Sequence, residues 1–339
     1  MYLDDVREVA SLNNLSWNKL SGATILVTGA TGLIGSCLID ILMNRLDKDY
    51  VVYASGRNGA RAKERFKDYW NDANFHFLAY DVTEPLDVDV QFDYVIYAAS
   101  GASPHLYATD PVGIMKSNIL GVDNILSYLV NHHGTRLLYV SSGEVYGEGD
   151  GSIFSEKYSG YVDSMTLRAC YPSSKRASET LCIAYSEQYR LEVVVARPCH
   201  VYGPNFTESD TRAYAQFIRN VLKGEDIVMK SSGEQFRSWC YVVDCASALM
   251  YILLNGENGS AYNIADSNSN ITIKQLAEMI AEIGGKQVKM IIPDDAEVRG
   301  YNVVTKSVFS TEKLQSLGWE VRGNMYSKMQ STINEIKKS

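Results

Sequence analysis

One segment limits the possible folds more than any other part of the chain. It is the glycine-rich stretch TGATGLIGS, residues 28–36, which directly follows the apolar run Thr24–Thr28. Glycine permits a tight turn, a close approach of the backbone to another group, and close packing of a helix on a strand. Helical spacing begins behind the third glycine, over Ser36–Met43. The order strand, glycine turn, helix therefore predicts the first half of a βαβ unit.

Five further short runs, rich in β-branched and aromatic residues, follow the first, and stretches with helical spacing separate them. Continuous apolar runs are typical of strands that are buried on both faces of a parallel sheet. Their alternation with helices up to Pro198 predicts an α/β fold, a doubly wound parallel sheet of the Rossmann type. The runs are Tyr50–Ser55, Phe75–Tyr80, Phe92–Ala98, Arg136–Ser141 and Glu192–Arg197.

The glycine segment also predicts a ligand. A helix that begins behind such a turn offers free backbone N–H groups and the positive end of its dipole, and both favour phosphate. Within a βαβ unit this arrangement is typical of a site for a dinucleotide pyrophosphate.

The end of the second predicted strand bears on which dinucleotide binds. An acidic residue there usually holds the ribose hydroxyls, but the chain reads YASGRNGARAKERF and has no carboxylate before Glu64. Arg57 stands in its place and can hold a 2′-phosphate, so the cofactor is either NAD or NADP. Asp81, after the third strand, is placed either to bind the adenine amino group or to cap a following helix.

The character of the sequence changes after Pro198, where segments become mixed and richer in loop residues. We expect a smaller, mixed α/β substrate domain in this part of the chain. Residues 1–20 are expected to form a helical extension docked on the first domain. The dinucleotide-binding domain is expected over residues 21–198 plus about 238–262, and the substrate domain over residues 199–237 plus 263–339.

Composition argues against several other functions. No apolar run reaches the roughly 18 residues of a membrane-spanning helix, and the start MYLDDVREVA is acidic, unlike a secretory signal. A net charge of −8 argues against non-specific binding to nucleic acid. The six cysteines show no metal-ligand spacing, so we expect reduced thiols, no metal site and a cytoplasmic protein.

A Tyr and a Lys stand four residues apart in RACYPSSKRA and share one face of a predicted helix. A cation beside a phenol lowers the phenol pKa, so Tyr171 is a candidate general base and Lys175 its activator. The short pattern alone also fits a surface pair next to a buried Tyr. The fifth strand ends in SSGEVYG, however, which brings Ser142 and Glu144 to the sheet edge that the glycine turn lines.

These motifs, taken in order, resemble the extended short-chain dehydrogenase/reductase family. The resemblance rests on TGATGLIGS, KSNILGVDNIL, SSGEVYG and YPSSK, and it continues through ARPCHVYGPN, FRSWCYVVDCASAL and STEKLQSLGWE. It implies an enzyme that modifies a nucleotide-diphosphate sugar. Such enzymes oxidise a ring hydroxyl, usually at C4, with tightly bound NAD(P) and then return the hydride.

The resemblance also implies roles for the reacting residues. Tyr171 would take the proton of the sugar hydroxyl, while Lys175 would lower the pKa of Tyr171 and bind the nicotinamide ribose. Ser142 would hydrogen-bond the same sugar oxygen. Asn118 matches an Asn that kinks its helix and supports Lys175 through water, and an ordinary helix Asn is the alternative.

Binding residues are implied in the same way. Cofactor contacts are expected, besides Tyr171 and Lys175, from Gly29, Gly32, Leu33, Ile34, Gly35, Arg57, Asp81, Val82, Ala99 and Pro198. Substrate contacts are expected from Ser103, Tyr107, Ser142, His200, Arg212, Arg237 and Arg299. The planar, bidentate fork of an Arg suits phosphate oxygens, so Arg237 and Arg299 are expected to clamp the diphosphate.

Positions 143 and 144 distinguish the reactions of this family. The resemblance implies Asp-Glu for a 4,6-dehydratase, with the Asp as the acid, and Gly143 removes that acid. UDP-glucuronate decarboxylases carry Ser-Glu, and ASGASPHLYATDPVGIMKSN and RNVLKGEDIVMKSSGEQFRSWCYVVD also look like that group. Decarboxylation after oxidation at C4 needs no strong base, because the ketone accepts the electrons. We therefore predict a UDP-glucuronate decarboxylase-like enzyme, with Glu144 among its catalytic residues.

Three departures suggest a divergent subgroup. Gly143 replaces Ser, His200 replaces Asn, and Gly-Tyr-Asn-Val after Arg299 replaces Lys-Pro-Asp-Ile. A nucleotide-sugar 4-epimerase or 5-epimerase, or a 4-keto-reductase using NADPH, is the alternative within the family. A non-catalytic dinucleotide-binding protein is the alternative outside it, and the presence of Tyr171 and Lys175 argues against that class.

Assembly is also predicted from the resemblance. The predicted helix Val112–Leu129 and the helix after Tyr171 match the pair through which family members dimerise, so we expect a homodimer. The sequence selects neither the nucleotide nor the sugar.

Overall fold

The structure, a computed structural model, describes residues 2–208, 210–229, 231–291 and 306–338. Its central sheet has seven strands in the order β10-β6-β5-β4-β1-β2-β3, and all neighbours pair in parallel. The predicted α/β fold is therefore confirmed. These strands are β1 Thr24–Thr28, β2 Val51–Gly56, β3 Phe75–Ala79, β4 Tyr94–Tyr97, β5 Arg136–Val140, β6 Glu192–Pro198 and β10 Ser260–Ile264.

Helices cover both faces of this sheet. Alternate residues of β1 show the two layers, because Ile25 and Val27 pack in one core and Leu26 packs in the other. The helices are α1 Tyr2–Ala10, α2 Leu33–Asn44, α3 Gly59–Arg65, α4 Pro104–Thr109, α5 Pro111–Asn131, α6 Cys170–Tyr189, α7 Ala213–Leu222, α8 Val242–Asn255, α9 Ile273–Gly284, α10 Glu312–Gln315 and α11 Met325–Ile336.

Helix α2 begins three residues earlier than the spacing predicts. Gly32 has an extended backbone (φ −79°, ψ 172°) and ends the turn, so helical geometry starts directly at Leu33. The free N–H groups of the first helical turn therefore lie next to the glycines themselves. The ends of the predicted strands and of the predicted helix Val112–Leu129 differ from the observed ones by no more than two residues.

A second, smaller sheet lies after Pro198. It has four strands, in which β9 pairs with β7, β11 and β13, and a separate two-stranded ribbon joins β8 and β12. The chain returns to the main sheet through α8, and β10 forms an edge of that sheet. The expected domain limits near 238 and 262 lie inside β9 and β10. The strands are β7 His200–Tyr202, β8 Ile227–Met229, β9 Phe236–Tyr241, β11 Asp266–Thr272, β12 Val288–Met290 and β13 Lys306–Ser307.

The N-terminal segment is not one helix, as the sequence predicts, but α1 followed by a short 3₁₀ turn at Trp17–Leu20. Helix α1 packs against α2, α8 and α11. The Tyr2 hydroxyl donates to Asp40 Oδ2 of α2 at 2.5 Å, and Lys328 Nζ of α11 lies 2.8 Å from Asp5 Oδ1. The extension therefore connects the first domain to the C-terminal helix.

Within the described ranges, none of the helices combines the length and the hydropathy that a bilayer crossing requires. The same residues contain no cluster of three or more His, Cys, Asp or Glu side chains that could hold a metal ion. All six cysteines are free thiols, and Cys199 alone is partly exposed.

Candidate active site

The three glycines of the turn after β1 do different work. Gly29 has a φ of +64°, and a Cβ at this position would lie 2.6 Å from the Ala98 carbonyl oxygen. A Cβ at Gly35 would lie 2.4 Å from the Gly29 carbonyl oxygen, so the fold itself requires both glycines. At Gly32 a Cβ would meet only the Gly29 oxygen, at 3.2 Å, among the described residues. Gly32 is therefore open on the side of the start of α2, where free backbone N–H groups favour a phosphate.

Two charged residues stand where the adenosine end of a dinucleotide is expected. Arg57, just after β2, is largely exposed, and its Nη1 lies 3.9 Å from Asp81 Oδ2. Asp81 Oδ1 accepts hydrogen bonds from the Thr83 backbone N–H (3.0 Å) and hydroxyl (2.8 Å), which lower the pKa of Asp81. No helix begins in residues 82–93, all of which the structure describes, so the alternative that Asp81 caps a helix is wrong.

The other expected cofactor contacts lie at the same edge of the sheet. Val82 follows β3, Ala99 follows β4 and Pro198 ends β6, while Leu33 and Ile34 open α2. These residues and the glycine turn all stand at the carboxyl ends of parallel strands, where ligands bind in open α/β sheets. The geometry thus brings the expected cofactor residues to one crevice.

Tyr171 and Lys175 occupy the first turns of α6, and both are buried. Lys175 Nζ donates to the Val140 carbonyl oxygen at 2.8 Å, at the end of β5. It lies 5.8 Å from the centre of the Tyr171 ring. Ser142 lies close enough to Tyr171 to lower the pKa of that phenol, and its Oγ accepts from the Glu144 backbone N–H at 3.2 Å. The Ser, the Tyr and the Lys predicted to converge are therefore together.

The electrostatics of Tyr171 differ from the expectation. Burial raises the pKa of Tyr171 to about 12, and the Glu144 carboxylate adds to this rise. The main groups that lower this pKa are Ser142, Arg212 and Arg168, rather than Lys175. Burial lowers the pKa of Lys175 itself to about 7, because an ammonium in this apolar position lacks water.

Glu144 has a partner that the sequence does not identify. Arg168 Nη2 lies 2.7 Å from both carboxylate oxygens of Glu144. The Arg168 guanidinium also lies 4.6 Å from the centre of the Tyr107 ring, which stacks on Tyr171 at 4.8 Å. Arg168 is therefore a candidate site residue that the sequence analysis does not name. Its position three residues before Tyr171, at helical spacing, was the available signal.

Asn118 lies in the middle of α5, which is a continuous helix, and its side chain is buried. Its Nδ2 donates to Ser174 Oγ at 2.9 Å, and its backbone oxygen accepts from Ser178 Oγ at 2.7 Å. Asn118 thus joins α5 to α6 and makes no direct hydrogen bond to Lys175. Its buried Oδ1 has no partner among the described residues, which leaves an acceptor free for a water molecule.

The expected substrate residues come from the second domain and from α4. The His200 ring is exposed and lies 5.2 Å from the Trp239 ring. Desolvation by the surrounding protein lowers the pKa of His200, and the cations Arg237 and Arg212 add to the effect. His200 is therefore neutral near pH 7. Arg212 is held by Asp210, with Nη2 2.6 Å from Oδ2.

Arg237 is buried on β9, and burial lowers its pKa to about 10, while Glu144 opposes this change. Ser103 lies next to α4, where its Oγ is 3.1 Å from Thr211 Oγ1. Arg237 and Arg212 both lie close enough to His200 to lower its pKa, so these three expected substrate residues lie close together. Arg299 lies outside the described residues.

Comparison with known proteins gives three kinds of match. Residues 25–265 match the family described as "NAD dependent epimerase/dehydratase family". UDP-glucuronic acid decarboxylase 6 of Arabidopsis thaliana is 34% identical over 304 residues, which cover 88% of this chain and 84% of that protein. UDP-glucuronic acid decarboxylase 1 of Xenopus tropicalis is 33% identical over 319 residues, which cover 93% of this chain and 72% of that protein.

Among solved structures, the UDP-glucuronic acid 4-epimerase of Bacillus cereus, in complex with UDP-glucuronic acid and NAD, aligns with a TM-score of 0.78 at 21% identity. The alignment covers 93% of this chain and 99% of that one. The dTDP-glucose 4,6-dehydratase of Bacillus anthracis, in complex with NAD, also has a TM-score of 0.78 at 21% identity, over 94% of this chain and 97% of that one. At this identity the structures establish a shared fold.

Proposed function

Because this chain belongs to the NAD dependent epimerase/dehydratase family, we propose that it is an NAD(P)-dependent decarboxylase of UDP-glucuronate. The observation that carries the proposal is the position of Tyr171 and Lys175 on the first turns of α6, where Lys175 Nζ donates to the Val140 carbonyl oxygen and Ser142 is close enough to lower the pKa of Tyr171. This group can take a proton from a sugar hydroxyl. The choice of decarboxylation is supported by relatives above 30% identity that bear that name, and by Gly143, which leaves the turn without the acid of a dehydratase.

The cofactor residues fit a dinucleotide, because the space above Gly32 and the start of α2 suit its pyrophosphate. Ala99, Lys175 and Pro198 would line the nicotinamide end, and Arg57 and Asp81 the adenosine end. When bound, the nicotinamide supplies the acceptor for the hydride of the sugar C4 and later its donor. Arg57 favours binding of NADP, because its guanidinium can hold the 2′-phosphate of that cofactor. We propose that the cofactor is held tightly and is recycled in place.

The reacting residues then have separate tasks. Tyr171 accepts the proton of the 4-hydroxyl, and Ser142 orients that oxygen. The resulting C4 ketone is β to the C5 carboxylate. When the bond between C5 and the carboxylate breaks, its electron pair moves into the ketone oxygen, where Tyr171 and Ser142 stabilise the charge. CO2 leaves, and C5 then takes up a proton from water. Once the hydride has returned to C4, the C4 oxygen takes its proton back from Tyr171.

The substrate would be held at both ends. Arg237 and Arg212 suit the diphosphate, with the neutral His200 between the second domain and the sugar. Ser103 and Tyr107 lie on the sugar side, close to Tyr171. Arg299 is proposed as a further diphosphate clamp from its sequence position alone.

We also propose that the enzyme is a cytoplasmic homodimer. Free thiols at all six cysteines support a reducing compartment. Exposed apolar side chains along α5 support an interface between two copies. These are Val112, Met115 and Leu120.

Product mass tests the reaction. The purified protein is incubated with NAD or NADP and UDP-glucuronate, alongside UDP-glucose and UDP-N-acetylglucosamine, and the products are separated and weighed. We expect UDP-glucuronate alone to lose the mass of CO2. An unchanged mass with a shifted retention time would establish an epimerase instead, and loss of water a dehydratase. Absence of any change with every sugar would favour a non-catalytic protein.

A further inference from the structure

Gly143 lies between the two reacting residues Ser142 and Glu144, and its Cα faces an aromatic ring. A Cβ at Gly143 would lie 2.0 Å from Cζ and 2.4 Å from Cε2 of Phe309. The backbone of Gly143 does not have a positive φ, so its conformation alone does not require glycine. The glycine is instead required by the ring, which occupies the volume that a side chain at position 143 would fill.

Phe309 is packed and hydrogen-bonded on several sides, so displacing its ring is energetically unfavourable. It is 5% exposed, and its backbone N–H donates to Ser238 Oγ at 3.2 Å. Its ring packs at 5.5 Å against Tyr146, edge to face, and at 5.9 Å against Phe154. The segment on either side of Phe309 exchanges backbone hydrogen bonds with Phe154, at 2.8 and 2.9 Å. Displacing a ring from such a cluster disturbs several close-packed neighbours.

We propose that Phe309 is a positioning and specificity residue that forms a matched pair with Gly143. The ring supports the turn from which Ser142 reaches Tyr171 and Glu144 reaches Arg168. It also excludes any hydroxyl or acid from position 143. A misplacement of about 1 Å in such a turn can reduce the rate about 100-fold.

The excluded side chain matters for the choice of reaction. A hydroxyl that leaves as water needs a proton from an acid of the site, whereas CO2 leaves with its electron pair moving into the C4 ketone. With a buried aromatic ring in place of a donor, this part of the turn lacks the acid that loss of water needs, whereas loss of CO2 does not need it. This consequence rests on the proposed decarboxylase function, while the pairing of Gly143 and Phe309 does not.

A double-mutant cycle tests the pairing on the full chain. Gly143→Ser, Phe309→Ala and the double variant are compared with the wild type for kcat, KM and Tm with UDP-glucuronate. Gly143→Ser should lower kcat about 100-fold with KM within about threefold, because the turn moves while the diphosphate clamp remains. Removing the ring should make room for the hydroxymethyl group. The double variant should therefore have a kcat at least about tenfold higher than Gly143→Ser.

Phe154→Ala is the matched control. Phe154 is as buried as Phe309 and belongs to the same aromatic cluster, but it does not meet the added Cβ at Gly143. It should lower Tm about as much as Phe309→Ala and leave kcat within about threefold of the wild type, while Phe309→Ala lowers kcat about tenfold. If Gly143→Ser does not fold and the double variant does, the pairing is supported directly.

Three results would overturn the inference: a wild-type kcat in Gly143→Ser, single effects on kcat that simply multiply in the double variant, or an equal loss of kcat in Phe154→Ala. Failure of the proposed function is separate. If the wild type turns over another nucleotide sugar, the same cycle is run with that substrate. If it turns over none, the positioning role of Phe309 is rejected. The pairing itself is still supported if Tm falls in Gly143→Ser and recovers in the double variant.

Discussion

At the scale of single residues, the reacting Tyr171 lies between opposing charges. The Glu144 carboxylate raises the pKa of Tyr171, whereas the Arg168 guanidinium lowers it. A general base works once it has lost its proton, so kcat/KM rises as the pH rises through that pKa. A change in either neighbour should therefore move the rising part of the pH profile, and the two changes should move it in opposite directions.

We expect Glu144→Gln to shift the rising limb of the kcat/KM profile to lower pH, besides lowering its plateau. Arg168→Gln should shift the limb to higher pH, because a group that lowers the Tyr171 pKa is lost. Glu148→Gln, at an exposed carboxylate on the same loop, is the control and should leave the profile in place. Shifts of the same sign in Glu144→Gln and Arg168→Gln would contradict this electrostatic account.

Tyr171→Phe should lower turnover by about 1,000-fold or more, since it removes the proton acceptor and keeps the ring. Bound NAD, measured by fluorescence titration, should remain within a few-fold of the wild type. Tyr107→Phe is the comparison, because its ring stacks on Tyr171 in the same way and its hydroxyl has no assigned proton transfer. A Tyr171→Phe variant as active as Tyr107→Phe would show that the base is elsewhere.

At this scale the sequence predicts which residues lie at the site, but not which side chains contact them. Lys175 reaches the carboxyl end of β5, where its Nζ donates to the Val140 carbonyl oxygen, and Ser142 follows that strand directly, so the first turns of α6 lie at the sheet edge where ligands bind. The source of the Tyr171 pKa was not predictable, since it depends on burial and on Arg168 and Arg212. The burial of Tyr171 and the positions of these two Arg side chains are not determined by the spacing of residues in the sequence.

At the scale of elements, the loop after β2 and the helix α8 carry testable consequences. Arg57 stands just after β2, and its Nη1 lies 3.9 Å from Oδ2 of Asp81, which follows β3. A carboxylate at position 57 would repel a 2′-phosphate and accept hydrogen bonds from ribose hydroxyls.

Arg57→Asp should shift the ratio of kcat/KM for NAD over NADP toward NAD by about tenfold or more. Lys63→Asp introduces the same change of charge on the exposed face of α3 and should leave this ratio within about twofold. The ratio is measured with each cofactor added to protein stripped of bound nucleotide. An equal ratio in both variants would exclude Arg57 as the selecting residue.

Helix α8 contains a buried carboxyl group at its first turn. Burial raises the pKa of Asp244 to about 7, although Lys328 and the Arg322 N–H oppose the rise. A carboxyl pKa raised on folding contributes stability that is fully present below the unfolded value near 3.8 and is lost as the pH rises through about 7.

The wild-type Tm should therefore fall between pH 5 and pH 8 by at least about 3 °C more than the Tm of Asp244→Asn. Asp47→Asn, at an exposed carboxylate, should follow the wild type across the same range. Thermal denaturation followed by circular dichroism gives both curves. Parallel curves for the wild type and Asp244→Asn would show that Asp244 does not titrate in this window.

The elements themselves were the most predictable part of the molecule. Six strands of the main sheet follow from short β-branched runs, because strands buried on both faces leave a continuous apolar signal. The seventh, β10, was not among them. Its sequence SAYNI is short and mixed, and it becomes a strand by pairing with β6. The start of α2 also differed, since Gly32 ends the turn through its backbone conformation.

At the scale of the whole molecule, the proposed dimer has a specific weak point. Leu120 lies on α5 and is 45% exposed, on the face proposed to meet a second copy. Leu120→Glu would bury a carboxylate in that interface and should convert the dimer to a monomer in light scattering after size exclusion. Leu46→Glu, at a 96% exposed position outside α5 and α6, should keep the wild-type mass. A dimeric Leu120→Glu variant would place the interface elsewhere.

Contacts distant in sequence explain why this scale was the least predictable. Phe309 meets Gly143 from the far end of the chain, and Asp5 meets Lys328 across 323 positions. Neither pair has a local pattern, because each depends on how the second domain and the N-terminal segment return to the main sheet. A single sequence lists the residues of such pairs but does not indicate which distant residues contact each other.

The position of α1 has a consequence for synthesis on the ribosome. The residues of α1 leave the exit tunnel before the rest of the described chain. Asp5 can pair with Lys328 only after a further 323 positions have been synthesised. Tyr2 can meet Asp40 of α2 long before that. The nascent chain can therefore close its glycine turn first and can form the link between α1 and α11 only after Lys328 has been synthesised.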